Sequence, residues 1–219
     1  QLDSISDNLA NAETPGFKAT RPSFEAFLAK GDSRQAAKVY PASVATQVDL
    51  SPGAIVDTGN PLDVMPSGRS FIGVQTSSGV ALTRAGHLQV ERDGTLSAAG
   101  HPVVDRERKP IIAPLGSTVR IDSTVEIYAD DVKIAELGLF EVNGPVDRVG
   151  PSLLVAQDQK SLFRSTDKLR IGAIETGNAS PMEAAIQLVA AQRHFDTSMQ
   201  ALQTYRALDQ RAAEVGRVR

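Results

Sequence analysis

The sequence has no cysteine and no tryptophan, and its 219 residues include only three histidines. Without cysteine there is no disulfide, no thiolate metal site and no cysteine nucleophile. Seven phenylalanines and three tyrosines leave few rings on which a sugar or a base can stack. No run approaches the roughly 20 apolar residues needed to cross a bilayer, and no secretory signal is visible. The formal charge of −3 gives no electrostatic reason to bind nucleic acid or an anionic membrane. The chain is long enough to bury a real core and to form one large or two small domains. It opens at Gln1, without an initiator methionine and inside a helical pattern, so a segment is expected upstream.

Catalytic chemistry is equally sparse. His87, His101 and His194 do not share a metal-ligand spacing. Ser77-Ser78-Gly79 is no nucleophile elbow, and the glycines are scattered turn residues rather than a phosphate loop. Asp105 and Asp130-Asp131 become acid pairs only if a cleft gathers them. The residues give no reason to expect an enzyme, a metal or a cofactor. Arg206, Arg211, Arg217 and Arg219 suit the negative end of a helix dipole better than a polyanion.

What the chain does have is a long C-terminal helical pattern. Ser180 can cap, Pro181 loses no hydrogen bond in a first turn, and Glu183 sits where it can reach back to the cap. Neither glycine nor proline interrupts the chain from there to Val215, and Gly216 supplies a stop. Leu188, Ala191, Phe195, Met199, Leu202, Tyr205 and Ala212 recur at helical steps as one apolar stripe, widened by Met182, Ala185, Ile186 and Val189. Arg193, Asp196, Gln200, Gln203 and Arg206 lie off it. Leu2, Ile5, Leu9 and Ala12 form a second, shorter stripe that should end near Thr14-Pro15-Gly16. The two stripes predict a coiled-coil-like pair made of the chain ends, or an ordinary helical hairpin within one chain; the pattern does not choose between them.

Between the ends the period falls to two. Ala19 to Gly31 holds a short helical or extended patch with Phe24, Phe27 and Leu28, and Gly31 to Ala42 reads as an exposed polar loop. Val44, Thr46, Val48 and Leu50 alternate as a strand, and Ser51-Pro52-Gly53 and Thr58-Gly59-Asn60-Pro61 punctuate an extended connector. From Leu62 to about Leu169, short strands alternate with turns at Ser77-Ser78-Gly79, Asp93-Gly94 and Asp130-Asp131. The expected class is α+β: terminal helices forming a coiled-coil-like stalk, with a central, mostly antiparallel β domain between them. The expected divisions are 1–30 for the N-terminal helix and turn, 31–61 for the connector, 62–172 for the β domain and 173–219 for the C-terminal helix.

Asn8-Leu9-Ala10-Asn11-Ala12-Glu13-Thr14-Pro15-Gly16-Phe17-Lys18 is the most unusual segment. Read physically, it is a helix end, a turn and a Phe17 anchor, with two Asn side chains able to bond a partner's backbone. It also resembles the N-terminal signature of the flagellar rod and hook axial proteins, N-x-A-N-x-x-T-x-G-[FY]-[KR], at all seven specified positions. Thr58 to Val64 looks like that family's entry into its β domain. Thr83-Arg84-Ala85-Gly86-His87-Leu88 followed by Asp93-Gly94-Thr95-Leu96 looks like its hairpin, and Ala191-Gln192-Arg193-His194-Phe195 like the centre of its C-terminal helix. Pro66 and Ser70 depart from the usual glycine-rich segment, and Asp130-Asp131 stands where an Asp-Gly turn is common.

The resemblance implies a structural subunit of the flagellar basal body. One short β insert suits a rod subunit, proximal ahead of distal, better than the multi-domain hook subunit. The implied partners are other rod subunits and further copies of the chain in a helical assembly, together with the flagellar export apparatus. Membrane insertion and nucleic acid are not implied. The expected assembly residues at the N-terminal end are Leu2, Ile5, Asn8, Leu9, Asn11, Thr14, Gly16, Phe17 and Lys18. Those at the C-terminal end are Leu188, Gln192, Arg193, Phe195, Met199, Leu202 and Tyr205. A different class of protein also fits the pattern alone: a stand-alone periplasmic binding module on a dimeric coiled coil.

Overall fold

The computed structural model describes residues 2–27 and 40–217, with side chains placed for 2–21 and 47–206. Helix α1 (Leu2–Ala10) leads into strands β1 (Thr20–Phe27), β2 (Tyr40–Val48) and β3 (Ile55–Asp57). The body follows with β4 (Val64–Pro66), β5 (Phe71–Thr76), β6 (Gly79–Thr83), β7 (Leu88–Val90), β8 (Leu96–Ala98) and β9 (His101–Pro102). It continues with β10 (Val119–Ile121), β11 (Glu126–Ala129), β12 (Val132–Glu136), β13 (Leu139–Val142), β14 (Val146–Arg148), β15 (Leu153–Ala156) and β16 (Leu162–Arg164). Strands β17 (Leu169–Ile171) and β18 (Ala173–Glu175) lead out of it into α2 (Pro181–Arg217).

The body centres on a six-stranded sheet in the order β14-β15-β6-β5-β13-β16, and its paired strands run antiparallel. Alternation along β5 and β13 sends Ile72, Val74 and Leu139 into one core cluster, and Phe71 and Phe140 into another. Both faces are therefore buried over Phe71–Val74 and Leu139–Phe140, where these strands carry no polar side chain. The three-stranded sheets β7-β8-β9 and β10-β11-β12 supply Leu88, Leu96, Ile121 and Ile127 to the first cluster. The turns fall where the sequence puts them. Asp93-Gly94 joins β7 to β8, with Gly94 at φ +86°, and Asp130-Asp131 joins β11 to β12 with both residues at positive φ.

Three expectations change. The expected coiled-coil-like stalk of terminal helices is not there, although the class is α+β. Over the described residues α1 is 9 residues long, about 14 Å, against 37 residues and about 55 Å for α2. Pro15 and Gly16 end the first helical segment, and the chain beyond them is drawn into the β body instead of continuing a seam. The patch expected as helical or extended is extended: residues 20–27 pair antiparallel with 40–48, a strand that begins before the expected Val44. Leu28 and residues 31–39 of the expected loop lie outside the described residues. Finally, strand pairing begins earlier than Leu62: β3, inside the expected connector, pairs with β18. This ribbon and the β4–β17 pair form a neck through which the chain enters and leaves the body.

Candidate assembly interface and its neck

The signature turn is seated in its own neck. Gly16 donates its amide to the Glu175 carbonyl at 2.8 Å and takes φ +71°. A Cβ on Gly16 would stand 2.1 Å from the Ala85 amide nitrogen, so only glycine allows this approach. Two residues past the end of β18, a Cβ on Gly177 would stand 2.4 Å from the Ala12 carbonyl. Asn11 shapes the turn from inside: its Nδ2 donates to the Asp7 carbonyl at 3.0 Å, and its Oδ1 accepts from the Thr14 hydroxyl at 3.3 Å.

Two asparagine amides join backbone segments that have no strand pairing between them. The Asn8 Oδ1 accepts from Thr20 N–H and its Nδ2 donates to the Thr20 carbonyl, both at 2.9 Å. Asn178 accepts from Ala19 N–H at 2.7 Å and donates to the carbonyls of Asp49 and Ser51 at 2.8 and 3.0 Å. Each uses the donor and the acceptor of one amide to imitate a peptide partner.

Beneath the turn lies a charged cluster. Lys18, Arg84 and Glu175 are all 3 % exposed or less. The Lys18 Nζ donates to the Glu175 Oε1 and the Ser51 carbonyl, each at 2.6 Å. The other Glu175 oxygen lies 3.2 Å from the Arg84 guanidinium, and its Oε1 also accepts from Gly53 N–H at 2.9 Å. Arg84 continues into the body, donating to the carbonyls of Pro66 and Gly68 and lying 5.0 Å from the Phe71 ring centre. Burial pushes the Lys18 ammonium below its ordinary value, and Glu175 opposes the shift by hydrogen bond and charge. Burial also lowers Arg84, against the opposing charges of Glu175 and Asp167. One carboxylate thus holds two buried cations and ties the signature, the neck and the body together. Phe17, fully buried, fixes the turn from the other side under the Arg148 guanidinium, 4.9 Å from its ring centre, and Arg148 also pairs with Asp7 of α1.

The helices are held differently. The Ser180 hydroxyl accepts from Glu183 N–H at 3.3 Å, so α2 starts at its expected cap. The helix α1 has no buried residue and leans on the first part of α2, with Ile5, Asn8, Ala184, Gln187, Ala191 and His194 lining the cleft between them. Beyond this cleft the stripe of α2 stands open to solvent. Phe195, Met199, Leu202 and Tyr205 are 60, 42, 55 and 68 % exposed.

The expected assembly residues therefore divide into three groups. Gly16, Phe17 and Lys18 are buried in the chain's own neck; Asn8, Asn11 and Thr14 are half-buried and bonded locally. Ile5, Leu9 and Leu188 are half-buried around the helix contact. Leu2, Gln192, Arg193, Phe195, Met199, Leu202 and Tyr205 are exposed. Sequence reasoning missed Arg84, Arg148, Glu175 and Asn178. The only local signal for Glu175 is a charge in an otherwise apolar strand, Ala173-Ile174-Glu175.

His87, the histidine nearest an acid among the described residues, serves the fold. The His87 Nδ1 lies 2.6 Å from Asp63, but that carboxylate is also bonded by the Thr58 hydroxyl and the Asn60 amide, which fixes the loop entering the body. Among the described residues no His, Asp and Glu side chains cluster as a metal site.

Comparison with known proteins agrees with this geometry. Residues 170–215, which span β18 and almost all of α2, match the family described as the C-terminal part of the flagellar basal-body rod FlgEFG proteins. The chain is 31 % identical over 212 residues to the flagellar basal-body rod protein FlgF of Salmonella typhimurium, covering 89 % of this chain and 84 % of that protein. It is 28 % identical over 204 residues to the FlgF of Mesorhizobium japonicum, covering 90 % and 84 %. The rod protein FlgG of Buchnera aphidicola is 25 % identical over 231 residues, covering 93 % and 89 %. An exposed helical stripe on a closed body and a shared sequence over nearly the whole length lead to one conclusion: the chain belongs to the FlgF family of flagellar basal-body rod proteins, structural subunits of the flagellar rod.

Proposed function

We propose that this subunit joins the rod through the exposed stripe of α2 and the outer face of α1. They dock on neighbouring rod subunits, further copies of this chain among them, in a helical assembly. The observation that carries the reading is the contrast between the two parts of the molecule. The body buries its apolar residues in two packed clusters, whereas α2 leaves Phe195, Met199, Leu202 and Tyr205 in water. An apolar stripe of that length gains only when another surface covers it. Contacts between two different faces of identical subunits propagate as a filament wherever their rotation does not close into a ring.

In this reading Leu2, Ile5, Leu9, Leu188, Gln192, Arg193, Phe195, Met199, Leu202 and Tyr205 meet neighbours. Asn8, Asn11, Thr14, Gly16, Phe17 and Lys18 act one step back, by fixing the angle between helices and body. The β body is a spacer without catalysis or cofactor. The chain reaches the rod unfolded, through the flagellar export apparatus, and the absence of cysteine means that no disulfide obstructs threading.

The test uses that absence. Leu202→Cys creates the only thiol in the chain, exposed in the free subunit. A maleimide should label it rapidly in purified protein and slowly in isolated basal bodies. Equal labelling in both would show that the stripe is not covered in the rod and would overturn the reading.

A further inference from the structure

We infer that residues 2–20 form a releasable strap, which detaches from the neck as a unit while the β3–β18 ribbon and the body stay folded. Three observations carry this inference. First, the strap has little apolar hold on the rest of the chain. The helix α1 buries no residue, and within residues 2–20 only Ala12, Gly16, Phe17, Lys18 and Ala19 are buried. Phe17 is the single large apolar anchor among them. Second, the strap completes no sheet of the body. It is attached by separable bonds: Gly16 N–H to Glu175, Ala19 N–H to Asn178, Asn178 N–H to the Phe17 carbonyl, Asp49 N–H to the Ala19 carbonyl, Lys18 to Glu175 and Ser51, and Asp7 to Arg148, and it ends at the first pair of the β1–β2 ladder, Thr20 with Val48. Third, its groove is complete without it. The β3–β18 pairing, Gly53 N–H to Glu175 and Arg84 to Glu175 involve no strap residue. When the strap leaves, Glu175 keeps one cation and one amide donor.

Such a segment opens at a lower free energy than the fold as a whole, because few apolar contacts are lost and its charged groups regain water. The Lys18–Glu175 pair is then a latch. It links residues 157 positions apart, so the strap closes only after the far end of the chain has reached the neck. Beside a neighbouring rod subunit, the open strap would free α1 to move relative to α2 without disturbing the body. The opening itself does not depend on how the rod is assembled.

Hydrogen exchange of the full chain, followed by mass spectrometry, tests this directly. In the native protein, peptides covering residues 14–20 should exchange together and faster than those covering β5 and β6. Asn178→Ala, which removes the acceptor for Ala19 N–H and leaves the latch intact, should speed exchange of 14–20 by about tenfold, the value of one hydrogen bond. Ile72→Ala, in the body's core and away from the strap, should speed exchange of β5 and β6 by about thirtyfold or more and leave 14–20 unchanged. If 14–20 exchanges no faster than β5 and β6, the strap opens only with global unfolding and the inference is wrong. If Ile72→Ala speeds both regions equally, or Asn178→Ala does not speed 14–20, it is wrong as well.

Discussion

Phe195→Asp is the perturbation that most directly probes the role of α2. Phe195 is 60 % exposed. Phenylalanine and aspartate have similar helix propensities, so the free subunit should lose no more than about 0.5 kcal/mol, the usual range for surface positions. Assembly is another matter. A phenylalanine side chain carries about 150–250 Å² of surface. At that exposure about 90–150 Å² remains to be covered, worth about 2–4 kcal/mol per contact at 25 cal/mol per Å². Aspartate forfeits this and adds the cost of desolvating a carboxylate with no counter-charge, several kcal/mol more. The docking constant should fall on the order of a thousandfold or further. Urea unfolding followed by far-ultraviolet circular dichroism would report the free subunit. Swimming-plate motility and the protein content of isolated basal bodies would report assembly. Normal motility with wild-type incorporation would refute the reasoning, because the stripe would then have no partner. A large fall in the subunit's own unfolding midpoint would refute it differently, by showing that Phe195 is packed within the free chain.

Gly16→Ala should destabilise the subunit by about 2–5 kcal/mol, combining a left-handed backbone with a Cβ forced against Ala85; a change under about 1 kcal/mol in urea would contradict the close approach. Asp131→Gly should stabilise it by about 0.5–1 kcal/mol, since Asp131 sits at φ +67° in a two-residue turn and its pairing with Arg120 at 3.9 Å is exposed; an unchanged or lowered melting temperature would contradict this. Lys18 makes a prediction about pH. Its folded value lies below the ordinary 10.5, so between the two values the unfolded chain holds a proton that the folded chain has lost. Stability should therefore rise with pH across that window, and Lys18→Met should remove the rise. The comparison needs urea titrations of both proteins from neutral pH to about 10.5, and a constant difference between them would refute it.

Local chemistry made much of this molecule legible in its sequence. Ser180 and Pro181 start α2, Pro15 and Gly16 end the first helical segment, and Asp93-Gly94 and Asp130-Asp131 turn the chain between strands. Each depends on neighbours within a few residues, so periodicity and turn residues suffice to find it. The signature from Asn8 to Lys18 marked the family for the same reason. What its residues touch was decided only in three dimensions. Lys18 and Glu175 meet across 157 positions and draw Arg84 to the same carboxylate, yet in sequence each is an isolated charge that belongs by default on the surface. The stalk failed as an expectation for a related reason. An apolar stripe shows that a helix face wants covering, but not what will cover it. The neck claimed Gly16, Phe17 and Lys18 because a buried ion cluster and two glycine contacts fit there, and that fit exists only once distant strands have paired.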